Sequence, residues 1–480
     1  MPDPAFVRSD MLPQQAPPLT ERGAVKWLRE NLFSSPFNTV LTLLGAAVVL
    51  LLVQAALPWL LNSVWNASSL KECREIIWAS AGPEATGACW ALIRDRWHQF
   101  LFGFYPADLY WRPVLALGLL LIALAPVLYF GLRKASVMLV GSVALLTLIA
   151  LAMLDHNLTH LVIFALLLGG LTVVAWVAPK RLLIVTVLYP LLGFWLLWGG
   201  SVWAPVGTAI GFVLLAVVYM AAKSFLGVVV ATGAGTFVAA IWWIALQTSV
   251  TTGLEAAMPL GMEAITSDQF GGFLLAFVIG VTAIGASLPI GILLALGRQS
   301  DMFLIKTLCV GFIEFVRGVP LITVLFTATL LLGYFLPPQT NFDVVLRVII
   351  LVTFFSAAYL AEVIRGGLAA LPKGQYEAAD ALGLDYWQAQ RLIVMPQALK
   401  VSIPGIVSTF IGLFKDTTLV AFVGLMDPLK GVTTIVRADT AWKGIYWEPY
   451  IFVGAIFFAV CFGMSRYSMY LEQKLKTDHR

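Results

Sequence analysis

The chain has 480 residues, 60% of them hydrophobic and only 12% charged, with a mean hydropathy of +0.90 and a formal net charge of +4. A soluble domain of this size cannot hide that much apolar surface, so the composition points to an all-α, polytopic membrane protein. The apolar runs are too long and uniform for barrel strands, and the small positive charge carries no nucleic-acid signal.

The opening, "MPDPAFVRSDMLPQQAPP", is rich in Pro and reads as disordered. No secretory signal peptide with a small-residue cleavage site is recognisable, since the first apolar run begins only near Phe37. In "TERGAVKWLRENLF", Val25, Leu28 and Leu32 share one helical face among Lys and Arg, which predicts a short helix on the membrane surface. Spans are then predicted near 37–61, 113–131, 136–154, 161–178, 182–199, 206–222, 225–247, 270–296, 307–336, 345–363, 403–424 and 448–468. That is about 12 spans, within a range of roughly 8 to 12.

Basic residues orient these spans. Arg8, Arg22, Lys26 and Arg29 precede the first span, and Arg133, Lys134, Lys180, Arg181, Lys223 and Arg298 fall in every second short connection. Arg365, Lys373, Arg391 and Lys400 follow the span ending at 363, and Arg466, Lys474, Lys476 and Arg480 lie at the end. The opposite connections, "DHNLTH" and "APV", lack Lys and Arg. Both termini are therefore predicted to be cytoplasmic.

The loop 62–112 then faces outward. Cys73 and Cys89, sixteen positions apart, flank a Gly-Pro turn there. An oxidising compartment and that turn favour a disulfide; two unrelated thiols are the alternative. Cys309 and Cys461 fall in apolar runs and read as packing residues.

The sequence offers no catalytic constellation. It has no Gly-Lys dipeptide, hence no phosphate-binding loop, so any ATP that powers the protein must be bound by another chain. His98, His156, His160 and His479 lack metal-ligand spacing, and no metal site is expected.

The segment "QYEAADALGLDYWQAQRLIVMP" (375–396) interrupts the apolar runs on the cytoplasmic side. Pro372 and Gly374 suit the start of a helix, and Glu377 and Asp380 place carboxylates in its early turns. Gly383 can take the left-handed conformation that ends a helix. Asp385 and Gln388 have the spacing of a capping box for a second helix, which Pro396 is expected to interrupt. Ala378 and Ala379 would let a partner surface approach closely, and Leu382, Tyr386 and Trp387 would fill a partner's groove.

Glu377-Ala378-Ala379, then Gly383, then Ile393 and Pro396 resemble the EAA loop of ABC importer permeases; Met395 stands where that motif usually has Leu. "FIEFVRGVPLITVLF", "AAYLAEVIRGGLAALPKGQYEAADALG" and "PQALKVSIPGIVSTFIGLFKDTTL" resemble polar amino-acid permeases of the histidine/glutamine/glutamate type. The start, "WLRENLFSSPFNTVLTL", is similar to the longer general L-amino-acid permeases, and the likeness is weakest between 200 and 269. The resemblance implies a tail at 1–36, an accessory bundle at 37–269, a five-span permease core at 270–470 with a coupling loop at 365–402, and a tail at 471–480. It also implies a second permease or a second copy, a cytoplasmic ABC ATPase dimer that uses ATP-Mg, and a periplasmic solute-binding protein that delivers amino acids. The membrane would be the bacterial inner membrane, and this chain would hold no cofactor.

Charges inside spans are candidates for the substrate path. Glu314 and Arg317, three apart on one helical face, can meet the ammonium and carboxylate of a zwitterion or pair with each other. Lys415 and Asp416 can line the path, or mark the end of a span at the outer surface. Glu362 and Arg365 read as anchors for the start of the coupling loop. Pro320 is expected to free carbonyls within its helix, and Gly271, Gly272, Gly280 and Gly285 to permit close helix packing. The reading is an ATP-driven, binding-protein-dependent importer permease, not an enzyme. The alternatives are a self-sufficient ion-coupled secondary transporter, for which no repeated halves are seen, and a membrane enzyme or assembly factor.

Overall fold

The structure is a computed structural model that describes residues 23–129, 131–154, 157–335 and 343–475. The segment expected to be disordered, the connection at 155–156 and the tail at 476–480 lie outside these residues, as do His156 and His479. Among the described residues, 11 helices are long and apolar enough to cross a membrane, or up to 12 if one bent pair counts as a single span. The chain falls into two compact units. One runs to Asp95 and takes in Ala441–Glu448; the other comprises Arg96–Thr440 and the chain from Pro449.

The first unit opens with α1 (Gly23–Asn31), whose Val25 and Leu28 are exposed. The first span is α2 (Pro36–Leu61). Ser35 caps it, its Oγ accepting from the Asn38 N–H at 3.1 Å, and Pro36 occupies the first turn. No residue of α2 is buried. The chain then forms α3 (Leu70–Ala81), where the Ser68 hydroxyl and N–H both donate to Glu72 and hold its carboxyl below the usual range. Trp65 stacks on Trp90, ring centres 5.7 Å apart, and Trp59 meets Trp90 edge-on at 6.0 Å. The Cys89 N–H donates to the Glu448 carboxylate at 2.8 Å.

The helix α4 (Ala91–Phe102) leads into the second unit. Here α5 (Trp111–Leu128), α6 (Arg133–Leu154), α7 (Leu158–Val177) and α8 (Leu182–Trp198) run up and down as packed neighbours. Side-chain hydrogen bonds tie this bundle where lipid offers no competing water: the Tyr189 hydroxyl donates to the Ala116 carbonyl (3.0 Å) and that of Tyr105 to Leu197 (2.8 Å). Buried Arg112, which drew no attention in the sequence, donates to the Glu263 carbonyl at 2.7 Å.

The two spans expected at 206–222 and 225–247 join more closely than predicted. They occupy Trp203–Val228 and Val230–Ala257, hinged at Gly227 (φ +72°), and a π-helical turn at Trp242–Leu246 carries the second onward.

Three helices build the centre: α11 (Gly272–Gln299), α14 (Val344–Ala369) and α17 (Met395–Asp416). Lipid tails are as apolar as Leu, so helix association here depends on close approach. The buried face of α11 presents Gly280, Ala283, Ser287, Gly291 and Ala295, one small residue about every turn. The face of α14 answers with Ser356, Ala357, Ala358 and Ala361, and a side chain at Gly291 would run into Leu360. Gly280 likewise leaves room for Phe414, whereas Gly285 meets no neighbour and does not serve packing as expected.

The single span expected at 307–336 is instead two helices, α12 (Phe303–Gly318) and α13 (Leu321–Phe335), bent by 100° at the break between them. The cause is Pro320. Its ring disfavours helical geometry at the preceding residue, and Val319 is extended (φ −111°, ψ 134°). The effect of Pro320 is thus an end to the helix rather than a few freed carbonyls within it. A last span, α19 (Trp447–Leu475), closes the chain.

Candidate functional site: a coupling hairpin and the charge cluster beside it

Between α14 and α17 lies a short hairpin made of α15 (Gly374–Ala381) and α16 (Tyr386–Ala389). Its turn is locked by local chemistry. Gly383 sits at φ +68°, its N–H donates to the Asp380 carbonyl at 2.9 Å, and the Leu384 N–H reaches the Ala379 carbonyl at 3.2 Å. That pair of bonds is the Schellman pattern, which satisfies the last carbonyls of α15. One residue later Asp385 caps α16. Its carboxylate accepts from the Gln388 N–H (2.8 Å), and the Gln388 side chain accepts from the Asp385 N–H (3.1 Å).

Pro396 does not interrupt the second helix as expected. A π-helical turn at Gln390–Val394 precedes it, Pro396 stands in the first turn of α17, and the chain is helical from Tyr386 to Val423. The wider turn rearranges the hydrogen bonds where the missing Pro N–H and the ring would otherwise break them.

The return strand of the hairpin is seated in an apolar cluster at one end of the core. Val394, Met395 and Ala398 pack with Ile364 and Leu368 of α14, Leu296 of α11 and Ile313 of α12. Met395 therefore fills the place of the usual Leu in a buried position, a volume-conserving exchange. Ala379 is buried too, facing into the hairpin, so of the two alanines only Ala378 is open to a partner. The exposed face carries Glu377, Ala378, Asp380, Leu382, Tyr386 and Trp387, with the last two rings edge to face at 5.3 Å. Ile393 is half-buried, its carbonyl accepting from Gln397 at 3.0 Å.

Beside the hairpin, the ends of three helices share a charge cluster. Arg298, in the last turn of α11, donates to Glu314 of α12 (2.9 Å) and to Glu362 of α14 (3.2 Å). Arg317 approaches Glu362 at 3.7 Å and lies over the Tyr359 ring, and Arg365 Nε donates to Glu362 at 2.8 Å. Glu314 and Arg317 thus find partners on neighbouring helices, and Glu362 and Arg365 belong to the same network. Arg298 was read only as an orientation marker; its place in the cluster depends on a crossing of helices that one-dimensional spacing does not show.

Lys415 and Asp416 end α17 far from the hairpin, Lys415 exposed and Asp416 half-buried, with a 3-10 turn over Thr417–Val423 following. They do not join the cluster. Midway along α14, the buried hydroxyls of Thr353 and Ser356 have no hydrogen-bond partner among the described residues. Their i, i+3 spacing on an apolar helix is the sequence signal that marks them. Cys73 and Cys89 are joined in a disulfide, Cα atoms 6.0 Å apart. Cys309 and Cys461 are free and half-buried. No group of three metal-ligating side chains occurs among the described residues.

Residues 287–477 match the family described as the binding-protein-dependent transport system inner membrane component. Along all 480 residues the chain is 60% identical to the glutamate/glutamine/aspartate/asparagine transport system permease protein BztC of Rhodobacter capsulatus, covering 100% of both. The chain belongs to the amino-acid ABC transporter permeases. This permease is also 35% identical to the inner membrane amino-acid ABC transporter permease protein YhdY of Escherichia coli, over 95% of its own length and 94% of that protein. The glutamate/aspartate import permease protein GltK of Escherichia coli is 30% identical over 209 residues, 91% of GltK but 42% of this permease. In this family a separate ATPase hydrolyses ATP, so the permease is a transport subunit rather than an enzyme, and ATPase and substrate-binding partners are implied. None of these relatives favours ion-coupled transport.

Proposed function

We propose that this permease forms the translocation path of an inner-membrane importer of acidic amino acids and their amides, and is driven through its hairpin by a cytoplasmic ABC ATPase dimer. The substrate class rests on the 60% identity with a permease named for glutamate, glutamine, aspartate and asparagine. The coupling role rests on one observation: a turn held by hydrogen bonds on both sides presents exposed Leu382, Tyr386 and Trp387 next to the exposed Glu377 and Asp380 in the hairpin. A soluble face of that kind, clamped into the core through Val394 and Met395, suits a groove in a moving partner. Both termini are cytoplasmic in this reading, and a second permease and a periplasmic solute-binding protein complete the assembly. The helices at 37–269 are an accessory bundle, and 270–470 the core.

Within the core, Glu314 and Arg317 hold closed the end of the path nearest the hairpin, through their bonds to Arg298 and Glu362. Lys415 and Asp416 stand at the opposite end, where substrate enters.

The test is expression of the permease with the products of its neighbouring reading frames, co-purification, and amino-acid uptake in proteoliposomes. Uptake should need ATP and the binding protein, and an excess of unlabelled glutamate, glutamine, aspartate or asparagine should compete. Glu377→Lys should abolish ATPase association while leaving the protein in the membrane. ATP-independent uptake, or normal ATPase pull-down by Glu377→Lys, overturns the reading.

A further inference from the structure

A cavity of about 720 Å³ lies between α5, α8, α11 and the start of α14, at the end of the bundle remote from the hairpin. Each helix lends it the matching half: Val114 and Leu117 from early α5, Gly193 and Phe194 from late α8, Phe277 and Val278 from early α11. That volume falls in the range of small-molecule sites, roughly 300–1,000 Å³.

Its chemistry is wrong for a polar amino acid. The walls are largely apolar; apart from the single hydroxyl of Thr282, the polar side chains that border it are already engaged within the protein. The Tyr189 hydroxyl donates to Ala116 at 3.0 Å, the Trp198 indole N–H donates to Ser267 at 2.8 Å, and Asp343, at the rim, accepts from the Leu346 N–H at 3.0 Å to cap α14. A zwitterion inside would find one hydroxyl, that of Thr282, to replace the water around two charged groups. Water itself needs two to four polar partners and would not settle there.

The cavity also opens sideways. Leu117, 40% exposed, and Phe194, 50% exposed, line it and at the same time form part of the belt of apolar side chains that faces the hydrocarbon. The molecule in contact with that belt is the phospholipid, and a slot continuous with the belt extends the same solvent inward. We propose that this cavity is a phospholipid site, holding an acyl chain between the α5–α8 pair and the α11–α14 pair. Asp343, exposed at the mouth, marks where the chain leaves for its headgroup. The chain serves as packing for helices whose own side chains leave the seam unfilled.

The test uses the full-length permease in nanodiscs of phosphatidylethanolamine and phosphatidylglycerol, doped with a phosphatidylethanolamine that carries a diazirine at its acyl terminus. After irradiation and digestion, cross-links should concentrate on the lining segments 113–120, 190–198 and 273–282, above the level on α2, none of whose residues is buried. Val278→Trp, and separately Val114→Phe on the opposite wall, should each lower labelling of the other lining segments about tenfold, with labelling of α2 unchanged. Two variants on different helices guard against one that fails to fold, which size-exclusion profiles would reveal. Labelling that merely follows surface exposure, or that neither variant lowers, overturns the proposal. So does protection of the lining by glutamate or glutamine, which would make the cavity part of the substrate path. None of these readouts involves the ATPase, so the result stands apart from the coupling role.

Discussion

Arg298 at the end of α11 and Glu362 at the end of α14 meet at 3.2 Å, and through that contact two core helices and α12 are held at the hairpin end. Arg298 and Glu362 are about a quarter exposed and Glu314 about half, so each contact is worth about 1 kcal/mol or less, yet Arg298 serves two carboxylates at once.

Arg298→Ala should therefore lower the stability of the detergent-solubilised permease by about 1 kcal/mol, read as a reduced thermal-unfolding midpoint. In a double-mutant cycle with Glu314→Ala the two losses should be less than additive, because both remove the same contact. Strict additivity would mean that the pair does not interact.

Gly383 stands at φ +68°, where a β-branched residue is strained. Gly383→Val should cost about 1–2 kcal/mol locally, displace Leu382 and Trp387, and abolish ATPase co-purification with membrane insertion unchanged. Gly383→Asn, which tolerates the left-handed region, should retain most of the association. Equal loss in both variants would point to the missing hydrogen of glycine rather than to backbone geometry.

Trp387 is 65% exposed and Leu382 73% exposed, with Ala379 beneath them fully covered. Trp387→Ala should reduce ATP-driven uptake while leaving the permease as stable as before, since the side chain supports little of its own fold. Ala379→Leu should do the reverse, destabilising the hairpin by overpacking, roughly 1–3 kcal/mol. Circular dichroism melts beside pull-down assays separate the two.

The proposed cytoplasmic side of the hairpin is tested at Gln388, exposed beside Trp387. Gln388→Cys should resist a membrane-impermeant maleimide in intact cells and label after lysis. Labelling from outside would reverse the topology inferred from the basic residues.

Cys73 and Cys89 should resist thiol reagents until reduced. Their loop is short, so losing the bond should cost this segment about 3 kcal/mol in the chain-entropy view. Protease sensitivity of 62–95 in Cys73→Ser, compared with α11 in the same sample, measures it.

Much of this was legible in one dimension because the bilayer simplifies the problem. Apolar length alone located the spans other than the one expected at 307–336, and the hairpin's turn is readable because Gly383, Asp385 and Gln388 act on backbone groups within a few residues of themselves. What escaped the sequence depended on the third dimension or on competition between local preferences. Arg298 joins Glu314 and Glu362 only because three helix ends converge. Ala379 turns inward while Ala378 turns out because α15 lies on the return helix. The two prolines were misjudged in opposite directions: Pro320 ends its helix through strain at Val319, while Pro396 is absorbed by the wide turn before it.

That wide turn has a mechanical consequence. From Tyr386 to Val423 the backbone runs helical for 38 residues, with the π turn at Gln390–Val394 and Pro404 within α17 the places where the peptide hydrogen bonds are rearranged or lost. A displacement of the tip is therefore passed along one continuous backbone toward the other end of α17. Continuity of this kind asks little of the side chains between, which leaves them free to be chosen for what they touch.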